Sequence, residues 1–396
     1  MPLPPIPVPR ALRALELVRV RLPLRIPHVA AHGNESERDV VLVHAVGAGP
    51  EGWGECSALS SPTYTTEHTA QAWDYLRCEA VPSVLACRGG HVLPDAAHPM
   101  AWCGIEVSLA DLDGADLFDD PAAPAEEATA GPPPYQRVPE GPSQESLPVG
   151  RARRAVPFTV VLGQAPSAEV LAARVREAVA DGAAGLKVKI TPESDSETLA
   201  TVRSVAPAVP LAADANCSYQ GIGAPGLAAR ELGRFDLHYV EQPFAAGDLA
   251  SHARAVDLCA HQIALDESVS SLDDLQAVIR ARAASIINVK PARVGGLRSA
   301  YLIANQAAQA GLGVFVGGMI ETGVGRSAAL RLAALDLFDL PTDLGPSHRY
   351  FEQDLTDPIL ATPGGEILVP DSPPLVLRPR PTRLAEVTVE RLVIHA

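Results

Sequence analysis

Apolar runs that close on a polar or acidic residue, or on glycine, recur at nearly constant spacing between Lys187 and Gly318. Leu186-Lys187-Val188-Lys189 ends in lysine, and Pro210-Leu211-Ala212-Ala213-Asp214-Ala215-Asn216 ends in Asp and Asn. His238-Tyr239-Val240-Glu241-Gln242-Pro243 carries Glu, and Ile263-Ala264-Leu265-Asp266-Glu267 ends in two acids. Ile286-Ile287-Asn288-Val289-Lys290 ends in lysine, and Val314-Phe315-Val316-Gly317-Gly318 in glycine. From residue 189 the ends advance by 25, 27, 25, 24 and 27 residues. That is the length of one strand, one helix and two short loops. The pattern predicts repeated βα units and a parallel barrel, whose function sits at the C-terminal strand ends.

Ahead of these units, alternation predicts strands at 14 to 22 and 40 to 46, with Gly52-Trp53-Gly54-Glu55-Cys56 as a third strand of an antiparallel meander. Residues 23 to 38, with Pro23, Pro27, Gly33 and Asn34, read as a loop. Helical periodicity starts at Thr65-Thr66-Glu67 and returns over 99 to 112, with Trp102, Ile105, Leu109 and Leu112 on the apolar side. An α+β domain over 11–117 follows from this. Residues 1–10, punctuated by proline, read as a disordered lead-in. Residues 118–156 carry many prolines, including Pro132-Pro133-Pro134, and read as a mobile linker or surface insertion. The barrel is expected over 157–349, opening with Pro157-Phe158-Thr159-Val160-Val161-Leu162-Gly163. Its clearest helices are 194–205, which opens with the capping-box pair Ser194 and Glu197, then 271–283, 297–310 and 326–335. A last strand is expected at 338–344, and alternation over 386–394 predicts that 350–396 returns to the first domain.

Composition narrows the function. A net charge of -15 argues against nucleic acid as a partner. No stretch approaches 18 uninterrupted apolar residues, so no membrane span is expected, and Met1 to Arg10 has no apolar signal core. The six cysteines show no CxxC pairing and fit a reducing cytoplasm.

Residues two apart on a strand share a face. Lys187 and Lys189 therefore point together into the barrel mouth, as do Asp214 and Asn216, whereas Asp266 and Glu267 point opposite ways. Asp214, Glu241 and Asp266 lie on three successive strands and offer hard oxygen ligands suited to Mg²⁺. No His or Cys stands among them at a spacing that would suit zinc. Lysine beside a divalent cation and a second lysine should have a lowered pKa and work as a base near neutral pH. Lys189 and Lys290 can face each other across the mouth. The implied reaction is proton abstraction next to a carboxylate, with Mg²⁺ holding the enediolate. An isolated LKVK strand or DxN pair is usually an ordinary face or turn; six such ends in order are not. Gly311-Leu312-Gly313-Val314-Phe315-Val316-Gly317-Gly318 misses the dinucleotide GxGxxG spacing and reads as a strand with a glycine turn.

As a set, KVK, DAN, EQP, DES, NVKPARVGG and GGMIETGVGRSAAL resemble the enolase superfamily, specifically its muconate-lactonising subgroup and the branch of o-succinylbenzoate synthases and N-succinylamino acid racemases. SPTYTTEHTAQAW, HPMAWCGIEVSLADLD and PTDLGPSHRYFEQDL extend the resemblance over most of the chain. It implies a (β/α)7β barrel capped by an α+β domain built from both termini. It also implies Lys189 and Lys290 as the acid/base pair, and Asp214, Glu241 and Asp266 as ligands of Mg²⁺. Lys187 would assist the substrate carboxylate, and Asn216, Gly318, Met319 and Glu321 would line the substrate site. Residues 23–38 would be a mobile loop over the site. The substrate would be a small carboxylate, and the protein a homo-oligomer. Mandelate-racemase-like members use a His at the end of strand seven, where this chain has Val316-Gly317-Gly318, and dipeptide epimerases carry an Asp-x-Asp that this chain lacks. The chain departs from the family at Pro192-Glu193-Ser194-Asp195, which lacks the usual Trp, and at Val161, where Ser is common.

Overall fold

The computed structural model describes residues 3–30, 33–114, 152–371 and 374–396. Seven parallel strands form one sheet in strict chain order: Thr159–Leu162, Gly185–Lys189, Leu211–Asp214, Leu237–Glu241, Gln262–Leu265, Ile286–Val289 and Gly313–Val316. Helices such as Ala168–Ala180, Leu272–Ala281, Leu297–Gln309 and Gly323–Ala333 alternate with them. The eighth position is filled by backbone bridges. Thr342 N–H donates to the carbonyl of Pro157, its own carbonyl accepts from Thr159 N–H, and Asp343 N–H donates to the carbonyl of Val316. Residues 342–343 thus bond to the first and the seventh strand and close the barrel. The strand expected over 338–344 is not regular, because Pro341 has no N–H to give a ladder.

Alternation sorts the barrel residues onto two faces. Leu186, Val188, Ala213, Val240, Leu265, Ile287, Val314 and Val316 belong to the main core between strands and helices. Ala212, Tyr239, Ala264, Ile286 and Phe315 form a separate buried cluster, the interior of the barrel. The inward residues one step later along the strands are Asp214, Glu241, Asp266, Asn288 and Gly317. The apolar interior is therefore a floor, and the charged residues are the layer above it.

The capping sheet runs Thr388–His395, Ala14–Ala30, Gly33–Val46, Glu51–Cys56, all antiparallel. Glu51–Cys56 packs tightly on the helix Pro99–Asp113: a Cβ on Gly54 would lie 2.0 Å from the Gly104 carbonyl oxygen, so only glycine fits there. Residues 23–38, read as a loop, are instead mostly hairpin, with pairing out to Ala30↔Gly33 and a register break between Pro23 and His28. Beyond Val20 the strand Ala14–Ala30 pairs with no second strand among the described residues, so Pro23 and Pro27 sit on an edge where a missing donor is tolerated. Ile6–Pro7, within the expected disordered lead-in, pairs with His91–Val92, and Ile6 and Val8 are buried. Two apolar side chains anchor what proline punctuation alone suggested was loose. The Pro-rich segment expected over 118–156 lies outside the described residues up to 151; its last two residues, Ala155 and Val156, pair with Leu368 and Ile367. Among the described residues no helix is long and apolar enough to cross a membrane.

Candidate active site

Three ion-paired groups crown the barrel interior. Lys187 Nζ donates to Glu241 Oε2 at 2.8 Å and to the Asp343 carboxylate. Lys189 Nζ donates to Asp214 Oδ2 at 2.7 Å and to the Asn216 side-chain oxygen. Lys290 Nζ donates to Asp266 Oδ2 at 2.8 Å, and Arg293 grips the other oxygen of the same carboxylate. Lys187, Asp214, Glu241 and Asp266 are at most 3% exposed. Charges this deeply buried persist only when paired and hydrogen-bonded.

A cavity of about 170 Å³ opens onto this layer. Lys187, Lys189, Asp214, Asn216 and Lys290 line it from the strand ends. Gly318, Met319 and Glu321 line it from the loop after the seventh strand. Glu241 and Asp266 lie behind, reached through Lys187 and Lys290. Glu321 does not extend freely into the space: its Oε1 accepts from Met319 N–H at 2.7 Å. Ile320 in the same loop has φ 58°, a left-handed conformation rare for a β-branched residue, and its carbonyl accepts from buried Arg38. Asn216, also left-handed at φ 39°, turns its amide to Glu267 Oε1 at 3.1 Å.

Electrostatics follow from burial and neighbours. Burial disfavours the charge on Lys290, but Asp266 and Tyr64 outweigh it and hold the ammonium above the ordinary lysine value. Lys187 is likewise raised: burial opposes its charge, and Asp343 with Glu241 favours it more strongly. Lowered lysine pKa values were expected beside a divalent cation; the protein's own groups do the opposite at these two. Burial pushes the Glu241 carboxyl up to about 8, with Lys187 opposing and Asp214 assisting.

Donor chemistry decides whether these residues suit a metal. Asp214 and Glu241 are register partners on adjacent strands, and Glu241 pairs with Ala264, two residues before Asp266. All three present carboxylate oxygens, the type a hard divalent ion takes. Glu267 Oε2 and Asn288 Oδ1 are buried beside them without a hydrogen-bond partner among the described residues. As they stand, each carboxylate meets a cation of the protein, and among the described residues no group of three His, Cys, Asp or Glu side chains is drawn together as a metal site. The fit is one of donor type and strand placement.

A family profile described as enolase C-terminal domain-like matches residues 170–381. The chain belongs to the enolase superfamily. It is 35% identical over 360 residues to an o-succinylbenzoate synthase of Geobacillus stearothermophilus, covering 90% of each chain. It is 34% identical over 391 residues to an N-succinylamino acid racemase of an Amycolatopsis species, covering 97% of this chain and 99% of the other. A solved structure from Alicyclobacillus acidocaldarius, titled a probable mandelate racemase, matches with a TM-score of 0.77 at 33% identity and covers 97% and 99% of the two chains.

Besides Arg293, which holds Asp266, four groups of this site were not singled out from sequence. Asn288 Nδ2 donates to Glu241 Oε1 at 3.0 Å; it lies two residues before Lys290, so the rule that paired Lys187 with Lys189 could have found it. A Cβ on Gly317 would lie 2.1 Å from Asn288 Oδ1, so glycine there makes room for the amide. Tyr64 OH donates to Asp266 Oδ2 at 3.0 Å and accepts from Lys290 at 3.1 Å and from Arg293 at 2.8 Å. Asp343 reaches Lys187 from the irregular eighth position.

Proposed function

We propose that the protein is an o-succinylbenzoate synthase, dehydrating a cyclohexadiene carboxylate to 2-succinylbenzoate in menaquinone biosynthesis. The observation that carries this reading is that Lys189 and Lys290, from the second and sixth strand ends, open onto one cavity above a layer of carboxylates. Relatives at 30–35% identity over most of the chain bear that name. In the proposal Lys189, as the free amine, takes the proton from the carbon next to the substrate carboxylate. Hydroxide leaves from the adjacent carbon on the same face, and the proton on Lys189 is returned to it as water. Lys290 stays an ammonium on the opposite face and balances charge. Lys187, held between Glu241 and Asp343, adds positive charge beside the substrate carboxylate. Asn216, Gly318, Met319 and Glu321 shape the substrate site. Asp214, Glu241 and Asp266 would hold Mg²⁺, which when bound supplies a positive charge against the one that builds on the substrate oxygens.

A second reading is N-succinylamino acid racemisation, supported by the Amycolatopsis relative with 97% coverage. There each lysine serves one face of the same carbon. The finer parts of the proposal are a cytoplasmic location and a homo-oligomer. Val389, Leu392 and Val393, exposed on the edge strand, support the oligomer, and light scattering tests it. The test of the reaction is direct assay of both conversions before and after exhaustive chelation. Activity lost on chelation and restored by Mg²⁺ is the expected result; full activity after chelation removes the metal from the proposal, and no conversion of either substrate removes the reaction.

A further inference from the structure

A second cavity adjoins the first, and the two share Val161, Ile320 and Tyr350 as walls. Leu24, Ile26 and Pro27 of the hairpin arm also line it. Among the described residues its charged lining consists of two arginines, Arg174 and Arg349, with no carboxylate. Arg349 is already neutralised, its Nη1 lying 2.7 Å from Asp181 Oδ2. Arg174 is not. It is half-buried on the helix Ala168–Ala180, and its Nη1 donates to the Gln164 carbonyl at 3.3 Å. It forms no ion pair among the described residues. A guanidinium has five N–H donors in a rigid fork that matches a carboxylate, so Arg174 keeps most of its donors for an anion from outside the chain.

We propose that Arg174 binds the far carboxylate of a dicarboxylate substrate whose near carboxylate lies among Lys187, Lys189 and Lys290. The inference rests on the reaction proposed above and names the part of the substrate that reading leaves unassigned. Both 2-succinylbenzoate and an N-succinyl amino acid carry a second carboxylate on a succinyl arm. The near end belongs in the lysine cavity, and the arm passes the shared wall of Val161, Ile320 and Tyr350 into the arginine cavity. A site with an unpaired cation at that point discriminates against arms that end in a methyl group, because these leave the guanidinium half-buried without a counter-charge.

Calorimetric titration in magnesium buffer tests this with 2-succinylbenzoate and with 2-butanoylbenzoate, which replaces the far carboxylate by methyl. Wild type is expected to prefer the dicarboxylate by about tenfold or more, in line with a charge-assisted arginine bond. Arg174→Gln abolishes the preference and leaves the affinity for the butanoyl compound unchanged, and Arg174→Lys restores part of it. A wild type that does not distinguish the ligands, a preference that survives Arg174→Gln, or an equal loss of both ligands each overturns the proposal. Turnover separates it from the reaction reading. Wild type that converts N-acetyl and N-succinyl amino acids equally well overturns the arginine subsite and leaves the reaction standing. Wild type that converts nothing yet shows the Arg174-dependent preference does the reverse.

Discussion

The two lysines at the cavity have unlike surroundings, and this bears on what each can do. Lys189 meets Asp214 and Asn216, whereas Lys290 shares Asp266 with Arg293 and touches Tyr64. Lys290→Arg is expected to keep measurable dehydration, since a cation remains, and to lose racemisation. Lys189→Arg is expected to lose both by about a hundredfold or more, because guanidinium is no base near neutral pH. Turnover of each substrate by each variant, with circular dichroism to confirm folding, checks this; equal dehydration by both variants means the base is misassigned. Tyr64→Phe removes a hydroxyl that meets Asp266, Lys290 and Arg293 and leaves those three paired with one another. A loss of about 1–2 kcal/mol in denaturant unfolding is expected. Glu67 offers a pH test away from the cavity. Its two oxygens accept from Met100 and Ala101 N–H at the start of helix Pro99–Asp113, and burial lifts its carboxyl from 4.5 to about 7 despite those bonds. Between those values the folded protein binds a proton that the unfolded chain has released, so stability falls as pH rises through that window. Glu67→Gln mimics the protonated form. Its unfolding free energy should therefore lack the fall that the wild-type carboxylate contributes between about pH 5 and pH 8, a difference in pH dependence on the order of 3 kcal/mol at most. A variant that loses ground as pH rises contradicts the assignment.

At the scale of elements, sequence carries whatever is local and periodic. Six strand ends were legible because burial on both sides makes each barrel strand a short apolar run, and two-residue alternation then assigns the inward residues. Tyr64 was not legible as a site residue because it meets Asp266 across 202 positions of chain, a contact no local pattern encodes. Asp343 was hidden because Pro341 breaks the strand that presents it. Ser194 heads its helix as expected, but its hydroxyl turns back to Thr191 in place of capping the helix. The hairpin arm was misread because proline and glycine mark loops and equally mark edge strands. Its real geometry changes what proteolysis should see. Arg25 N–H donates to the Tyr350 carbonyl, and its side chain reaches Glu177 on the barrel and the His348 carbonyl. Arg38 is fully buried and bonds the carbonyls of Ile320, Ser57 and Ala58. Trypsin should spare Arg38 in the folded protein and cut at Arg25 more slowly when a saturating product analogue is bound. Unchanged cleavage at Arg25 with ligand would refute a closing role for the arm.

For the molecule as a whole, barrel and cap are joined by buried polar contacts. Glu55 of the capping sheet accepts from Thr322 and Gly325, and Glu106 accepts from Leu297 N–H. The capping sheet in turn joins sequence extremes. Thr388–His395 lies along Ala14–Ala30, and the Glu16–Arg391 ion pair spans 375 positions. That pairing sets a timetable for synthesis. At ribosomal speed, on the order of 5–20 residues per second, the strand at 14–30 waits roughly 20 to 75 seconds for its partner. Throughout that interval one side of an apolar strand displays free N–H and C=O groups, the template on which other nascent chains pair. Deleting 388–396 makes the interval permanent, and the shortened protein should collect in the insoluble fraction even though every residue at the cavity is intact. For the full chain, soluble yield should rise when translation is slowed less or holding chaperones are supplied, with no change in the unfolding midpoint of the protein recovered.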